Sequence, residues 1–189
     1  MIERSLVLIK HDGVYRELIG TIINRFERVG LKITAMKIAM ANEKLAKEHY
    51  KVDEEWARNV FEKTKKTYET ERRKFEHRNH VEFGKMIQKW NVSFLKEGPV
   101  VAMILEGPSA IEIVRKIVGN TEPKQAMPGT IRGDYAVLES YKLADTKSRV
   151  LRNLVHASDS VKNAEKEIKL WFNENEIYEY SKELDKHFR

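Results

Sequence analysis

His156 is the residue in this chain best placed to carry out chemistry. It follows the apolar pair Leu154 and Val155 and precedes Ala157, Ser158 and Asp159, after which an amphipathic helix begins near Ser160. Unsatisfied backbone N–H groups and the helix dipole both favour an anion at such a helix start. An imidazole titrates near neutrality, at about 6.5, so it can act as a nucleophile without a separate strong base. Phosphate chemistry suits that setting. Transferring a phosphoryl group needs a nucleophile, cations and neutral donors around three charged oxygens, and little else. Lys10, Arg115 and Arg132 can supply charge, and Thr121 and Asn153 can supply hydrogen bonds to phosphate or sugar. Each has an ordinary alternative. The chain holds 35 Lys and Arg residues, so any one cation can be a solvated surface charge, and a lone histidine can simply pack or cap.

The elements that must position these residues can be read from composition and pattern. At 189 residues with 41% apolar content, the chain has the length of one domain and enough apolar residues to fill a core. The net charge of +6 and a pI near 9.3 suit anionic partners, nucleotides or nucleic acid, without choosing between them. There is no cysteine, which excludes disulfides, thiol catalysis and Cys-ligated zinc and fits a reducing compartment. No apolar stretch approaches the roughly 18 residues that span a bilayer, so the expectation is a soluble, cytoplasmic protein with no membrane partner.

Residues 5–9 read as a buried strand ending in the turn that carries Lys10. Residues 16–29 read as a helix stopped by Gly30, and 31–39 as a strand whose alternation slips at Met36. A short helix is expected over 43–50. From 53 to 80, Trp56, Val60, Phe61, Tyr68 and Phe75 form one apolar stripe among mixed charges, which predicts a long exposed helical arm, with a second helix over 81–95. Gly98-Pro99 breaks it. A strand over 100–105 and a helix from Ser109 to Val118, capped by Ser109 and stopped by Gly119, come next. The segment 120–133 is a Gly-, Pro- and Thr-rich loop. A strand is expected over 134–138, a polar stretch over 139–152 and a final helix over 160–172. The charged tail offers Ile177, Tyr178, Tyr180 and Leu184 for docking. The order reduces to β-α-β-β-α-β, which predicts an α+β, ferredoxin-like fold: a four-stranded antiparallel sheet with helices on one face, carrying a helical insertion. Such a fold hosts many activities, so function has to come from the site.

Six segments, S-L-V-L-I-K-H-D-G-V, E-H-Y, G-P-V-V-A-M-I-L-E-G, V-R-K-I-V-G-N-T-E-P, A-M-P-G-T-I-R-G-D-Y-A and N-L-V-H-A-S-D-S-V-K-N-A-E-K-E-I-K-L-W-F, occur in this order. Together they closely resemble the nucleoside diphosphate kinase family over about residues 3–50 and 98–180. The resemblance implies that His156 is phosphorylated in a ping-pong transfer of the γ-phosphate from a nucleoside triphosphate to a nucleoside diphosphate. It implies that Glu167 orients the imidazole, that Tyr50 helps to position it, and that Lys10 contacts the phosphates and the ribose. It implies that Asn153 reaches the ribose hydroxyl, that Arg115, Thr121 and Arg132 hold the β- and γ-phosphates, and that Ser158 and Asp159 shape the loop. Mg²⁺ would arrive on the nucleotide, with no protein ligand set, and the chain would form a homo-oligomer, a hexamer or a tetramer. Neither a G-x-x-x-x-G-K-[ST] loop nor a G-x-G-x-x-G motif is present, so side chains would hold the phosphates.

The chain departs from that family's pattern in four places. His11 stands where the family has proline, and Ala157 where it has glycine after the histidine. The stretch between Tyr50 and Gly98 is about thirty residues longer than usual, so residues 1–189 are expected to form one domain with a helical insertion at about 53–96. A smaller insertion is expected at about 138–150. The larger one falls where the family stacks an aromatic on the base, and Phe61, Phe83 and Trp90 are all candidates. Two other classes compete with the enzyme reading. One is a nucleic-acid-binding module, which the basic pI suits but for which neither central strand carries the aromatic motif. The other is a regulatory relative that binds nucleotide without turnover.

Overall fold

The computed structural model describes residues 2–183. Strand β1 (Ile2–Ile9) leads into a one-turn helix α1 (His11–Val14), then α2 (Ile19–Glu27) and β2 (Lys32–Ala39). Three helices follow: α3 (Glu43–His49), α4 (Glu54–Thr70) and α5 (His80–Leu95). The chain continues through β3 (Val100–Pro108), α6 (Ala110–Val118), α7 (Ile131–Tyr135), α8 (Tyr141–Thr146), β4 (Val155–Ala157) and α9 (Val161–Trp171). The strands form one sheet in the order β2-β3-β1-β4, antiparallel at every pairing.

The central strands explain their own composition. Leu6 to Ile9 and Val100 to Leu105 are buried on both faces, so they read as unbroken apolar runs and not as alternation. Val7, Ile9, Val101, Met103 and Leu105 face α2 and α6, where Ile22, Phe26, Val114 and Val118 close the first core. Leu6, Leu8, Ala102 and Ile104 face the other way, against Ala46 of α3, Val92 and Leu95 of α5, and Ile168 and Trp171 of α9. The α+β, ferredoxin-like arrangement is therefore present, with its two core helices on one face, and the added helices cover the second face as well. The slip in the β2 pattern is a β-bulge, because the pairing with β3 shifts between Ile33 and Ala35. The outer edge of β2 is shielded by the tail. Tyr178 N–H donates to Thr34 O at 2.8 Å and the Tyr180 hydroxyl to Ile33 O at 2.8 Å, which leaves less edge free for another chain. Leu184 lies outside the described residues.

Three expectations fail locally. Residues 134–138 are not a strand. Thr130 caps α7 instead, its hydroxyl accepting from Gly133 N, and beyond the buried Ala136 the run comes out to solvent, Val137 at 48% and Leu138 at 90%. The fourth strand is β4, which carries His156 opposite Leu8. The arm 53–80 is not one helix either. It ends at Thr70, Arg72 turns the chain with φ 53, and Phe75 returns to Phe61 at 5.0 Å and Phe83 at 5.6 Å between ring centroids. The seven-residue stripe is thus the seam of a helical hairpin. Ser109 precedes α6 in the left-handed region, φ 48, and makes no side-chain cap. Instead, Glu3 accepts from Ile111 N at 3.2 Å, an acid at the helix N-terminus.

Candidate active site

Helix α9 and strand β4 assemble the nucleophile's surroundings. Ser160 caps α9 by accepting from Asn163 N, and this fixes the helix so that Glu167 points back at β4. His156 Nε2 lies 3.0 Å from Glu167 Oε1. The other carboxylate oxygen accepts from Ser158 Oγ at 2.5 Å, and Ser158, wholly buried, also accepts from Leu6 N at 3.1 Å. Burial is the largest influence on the Glu167 carboxyl and pushes its pKa up. The His156 hydrogen bond and charge, His49 and Ser158 together outweigh it and hold the group below the usual carboxylate range. An ionised Glu167 accepts a hydrogen bond from His156 and so holds the ring's proton on Nε2. This leaves Nδ1 with a free lone pair, on a ring that lines the cleft.

Ala157 sits in β4 with an ordinary extended backbone, so the glycine expected there is not required. The strain falls at Leu154, buried with φ 67, whose carbonyl accepts from Lys10 N at 2.8 Å and whose N–H donates to Asp12 at 3.1 Å. His11 is buried, with its ring 4.3 Å from Phe94 and Nε2 3.2 Å from Glu97, and ties α1 to the end of α5. The ring thereby occupies a packed position where the family has proline.

The cations line the cleft that His156 faces. Lys10, at the end of β1, donates through Nζ to Asn153 Oδ1. Burial lowers the Lys10 pKa to about 8, partly offset by Asp12. Asn153 uses its other end to donate to Thr121 O at 2.8 Å. Arg132 is buried and donates to three carbonyls, Asn153 at 3.2 Å, Gly119 at 2.9 Å and Val155 at 2.7 Å. Burial lowers its pKa to about 10, so it remains cationic. Two of its five N–H donors are left for a ligand. Gly119 is needed for this junction. Its φ is +86, and a Cβ would sit 2.5 Å from Thr130 Oγ1. Gly133 is needed for a different reason: a Cβ there would meet the Met127 carbonyl oxygen at 2.1 Å. Arg115 and Thr121 are exposed at the rim. The fold therefore brings together His156, Glu167, Lys10, Arg115, Thr121, Arg132 and Asn153. Tyr50 lines the same cleft and packs edge-on against His49 at 4.7 Å.

The cleft volume is about 840 Å³, within the range of small-molecule sites. Its outer wall comes from the hairpin, with Trp56, Val60, Met86 and Trp90 exposed to it. Of the aromatics suggested for base stacking, Phe61 is committed to the hairpin seam; Phe83 and Trp90 both line the cleft, but Phe83 is 4% exposed and packed into that seam, whereas Trp90 is only half-buried. The hairpin tip is fastened to α8 across the opening. Tyr68 donates to Asp145 Oδ2 at 2.7 Å, Arg73 donates to the same oxygen at 2.9 Å, and the Arg73 guanidinium lies 3.9 Å over the Tyr68 ring.

Sequence reasoning missed His49 and Trp171 as neighbours of the nucleophile. Trp171 Nε1 donates to His49 Nδ1 at 3.2 Å, and the His49 and His156 rings lie 4.5 Å apart at 77°. The only sequence signal was the position of Trp171, one helical turn after Glu167. His49, His156 and Glu167 each bring a potential metal-ligand atom within 4.8 Å of the others. Indole can only donate, so His49 accepts at Nδ1 and carries its proton on Nε2, and in that state it offers no lone pair to a cation.

A nucleophilic histidine held by a carboxylate and faced by buried cations, on a ferredoxin-like sheet, defines a protein built to handle phosphate at an imidazole. The comparisons agree. The family model described as "Nucleoside diphosphate kinase" matches residues 3–72 and 61–177. A protein named nucleoside diphosphate kinase from Pyrobaculum aerophilum is 45% identical over 182 residues, 94% of this chain and 99% of its own. Another with that name, from Pyrococcus furiosus, is 40% identical over 188 residues, 100% of this chain and 94% of its own. The crystal structure of an NDP kinase from Pyrobaculum aerophilum superposes with a TM-score of 0.89 at 42% identity, covering 95% of this chain and all of that one. The nucleoside-diphosphate kinase of Borrelia burgdorferi, described as a transition-state mimic with bound vanadate and ADP, matches with a TM-score of 0.81 at 36% identity, covering 98% and 96%. The chain belongs to the nucleoside diphosphate kinase family. Because these alignments run nearly end to end, the long 53–96 stretch is shared with those relatives.

Proposed function

We propose that His156 is the residue through which this nucleoside diphosphate kinase moves the γ-phosphate of a nucleoside triphosphate to a nucleoside diphosphate. The observation that carries the reading is the 3.0 Å contact between His156 Nε2 and Glu167, which leaves the Nδ1 lone pair available. In the first half-reaction Nδ1 attacks the γ-phosphorus, a P–N bond forms, the bond to the β,γ-bridging oxygen breaks, and the diphosphate leaves with that electron pair. Glu167 balances the positive charge that develops on the imidazole. In the second half-reaction a terminal oxygen of another diphosphate attacks the phosphohistidine, the P–N bond breaks, and the electron pair returns to Nδ1.

Lys10 and the free N–H groups of Arg132 are positioned to neutralise the phosphates, with Arg115 and Thr121 completing the rim. The substrate is a Mg²⁺–nucleotide. Lys10, Arg115 and Arg132 suit the phosphate oxygens, and Glu167 is engaged by His156 and Ser158, so the metal's oxygen ligands are the phosphates and water. Asn153 acts on the ribose only by exchanging one of its two present partners. Residues 1–189 form one domain in this reading, the 53–96 and 138–150 insertions forming the two sides of the nucleotide entrance. The protein works in the cytoplasm as a homo-oligomer, a hexamer or a tetramer. Cysteine-free composition supports the compartment, and no helix among the described residues is long and apolar enough to cross a membrane.

The test is incubation with Mg–ATP. Wild-type protein acquires an acid-labile, base-stable phosphate and passes it to a non-adenine diphosphate. His156→Ala does neither. Undiminished label on His156→Ala, or none on the wild type, rejects the assignment.

A further inference from the structure

Behind His156 lies a second imidazole that the reaction does not call on. His49, the last residue of α3, stands between Trp171 and His156 and does not line the cleft. Its Nδ1 accepts from the indole, and its Nε2 is buried without a partner among the described residues. A side chain that only filled space would not need a buried polar edge, since an unpaired buried N–H is costly. Trp171 and Glu167 are i, i+4 on one face of α9. One helix therefore holds two rings, Glu167 the reacting one and Trp171 the one behind it.

We propose that His49 is a positioning residue for His156: a neutral imidazole, fixed in one tautomer and one orientation by Trp171, whose ring holds His156 at the angle that presents Nδ1 to the cleft. The inference rests on the functional reading above and deepens it. Two features keep His49 uncharged. Burial, and after it the nearby His156, lower its pKa to about 3, although Glu167 opposes them and Lys10 adds a small push in the same direction. In addition, the one lone pair that could take a proton is already occupied by the Trp171 N–H. A charged His49 would draw Glu167 away from His156. The neutral form leaves that carboxylate to the nucleophile, while the near-perpendicular packing at 4.5 Å blocks rotation of the His156 ring toward α3.

Two variants separate this from simple packing. Trp171→Phe removes the donor and keeps an aromatic, and His49→Phe keeps a ring and removes the acceptor. The rate of His156 phosphorylation is measured by rapid mixing with saturating Mg–ATP, alongside nucleotide affinity. Each single variant is expected to slow phosphorylation about tenfold, and the double variant no further, because both act through the same ring. Nucleotide affinity should stay within about twofold of wild type. Losses that multiply in the double variant, losses confined to nucleotide affinity, or full rates in folded single variants overturn the proposal. A second measurement uses wild-type protein and needs no turnover. Nitrogen-15 spectra of histidine-labelled protein should show His49 neutral and protonated on Nε2 between about pH 5 and 8. An Nδ1–H tautomer, or titration of His49 in that range, overturns it. Failure of the wild type to form phosphohistidine would instead reject the functional reading, with the His49 tautomer still decided by the spectra.

Discussion

Glu167 makes two short contacts, to His156 and Ser158, and in the proposed reaction sets which nitrogen of His156 is nucleophilic. Glu167→Gln replaces an acceptor-only group by one that can also donate. An amide N–H facing Nε2 would favour the opposite tautomer and put the proton on Nδ1, and the imidazole would also lose its balancing charge. Steady-state kcat is expected to fall on the order of a hundredfold or more, with nucleotide KM little changed; a comparable rise in KM with kcat unchanged would argue against this role. Lys10 gives a pH prediction. Its pKa is about 8, against 10.5 when exposed, chiefly because of burial. Below pH 8 the ammonium is present and available to the phosphates of the proposed substrate; above it the charge is lost. The kcat/KM for Mg–nucleotide should therefore decline above about pH 8, and Lys10→Arg should remove that decline while lowering the plateau. The effect on stability has the opposite sign. Between pH 8 and 10.5 the unfolded chain binds a proton that the folded one has released, so this group's contribution to stability rises across that window, by on the order of 3 kcal/mol.

At the scale of elements, the hairpin α4–α5 and helix α8 meet at Asp145. Burial, followed by the hydrogen bond to that carboxylate, pushes the Tyr68 hydroxyl up to about 12, so it stays a donor throughout the working range. The Arg73–Asp145 pair is partly exposed, with side-chain exposures of 22% and 26%, and so contributes on the order of 1 kcal/mol or less. Asp145→Ala should release the hairpin tip without unfolding the sheet. Cleavage in the 71–79 turn by a dilute protease should become faster, and nucleotide KM should shift severalfold, while the single-turnover rate at saturation holds. Unchanged cleavage would mean that the Phe61, Phe75 and Phe83 seam alone holds the hairpin closed.

At the scale of the molecule, the net charge of +6 is spread over a surface that also exposes Met36 at 53%, Ile38 at 69% and Met40 at 60%, alternate residues along and just past edge strand β2. Large apolar side chains in clusters are uncommon on a monomer's surface. They support the homo-oligomer proposed above. Sedimentation equilibrium should give four or six times the 22.2 kDa chain, and a species of one chain mass at micromolar concentration would reject it. Replacing Ile38 by Lys should weaken assembly and leave the secondary structure intact.

The sequence by itself determined the two central strands, most of the helices around them and, through the family resemblance, the candidate phosphate-handling residues. These depend on local pattern: unbroken apolar runs, helical spacing, capping residues, and motif order. It also revealed a slip in β2, because a bulge displaces the side-chain alternation directly, although it set the slip at Met36 and the register shifts between Ile33 and Ala35. What it could not determine were contacts set by distant parts of the chain. The run 134–138 has strand composition, yet the Thr130 cap and the solvent around Leu138 make it helix and turn. The true fourth strand is three residues long, too short for any periodicity to show, and exists because Leu8 pairs with His156. The same holds within the site. Glu167 could be placed by resemblance, whereas the His49–Trp171 pair spans 122 residues and the Tyr68–Asp145 contact 77, and only tertiary packing brings their atoms together. For His156 this division is clear: its chemical type and neighbours in sequence made it a candidate nucleophile, and the packing of α3 and α9 against β4 decided which nitrogen is free and which way the ring faces.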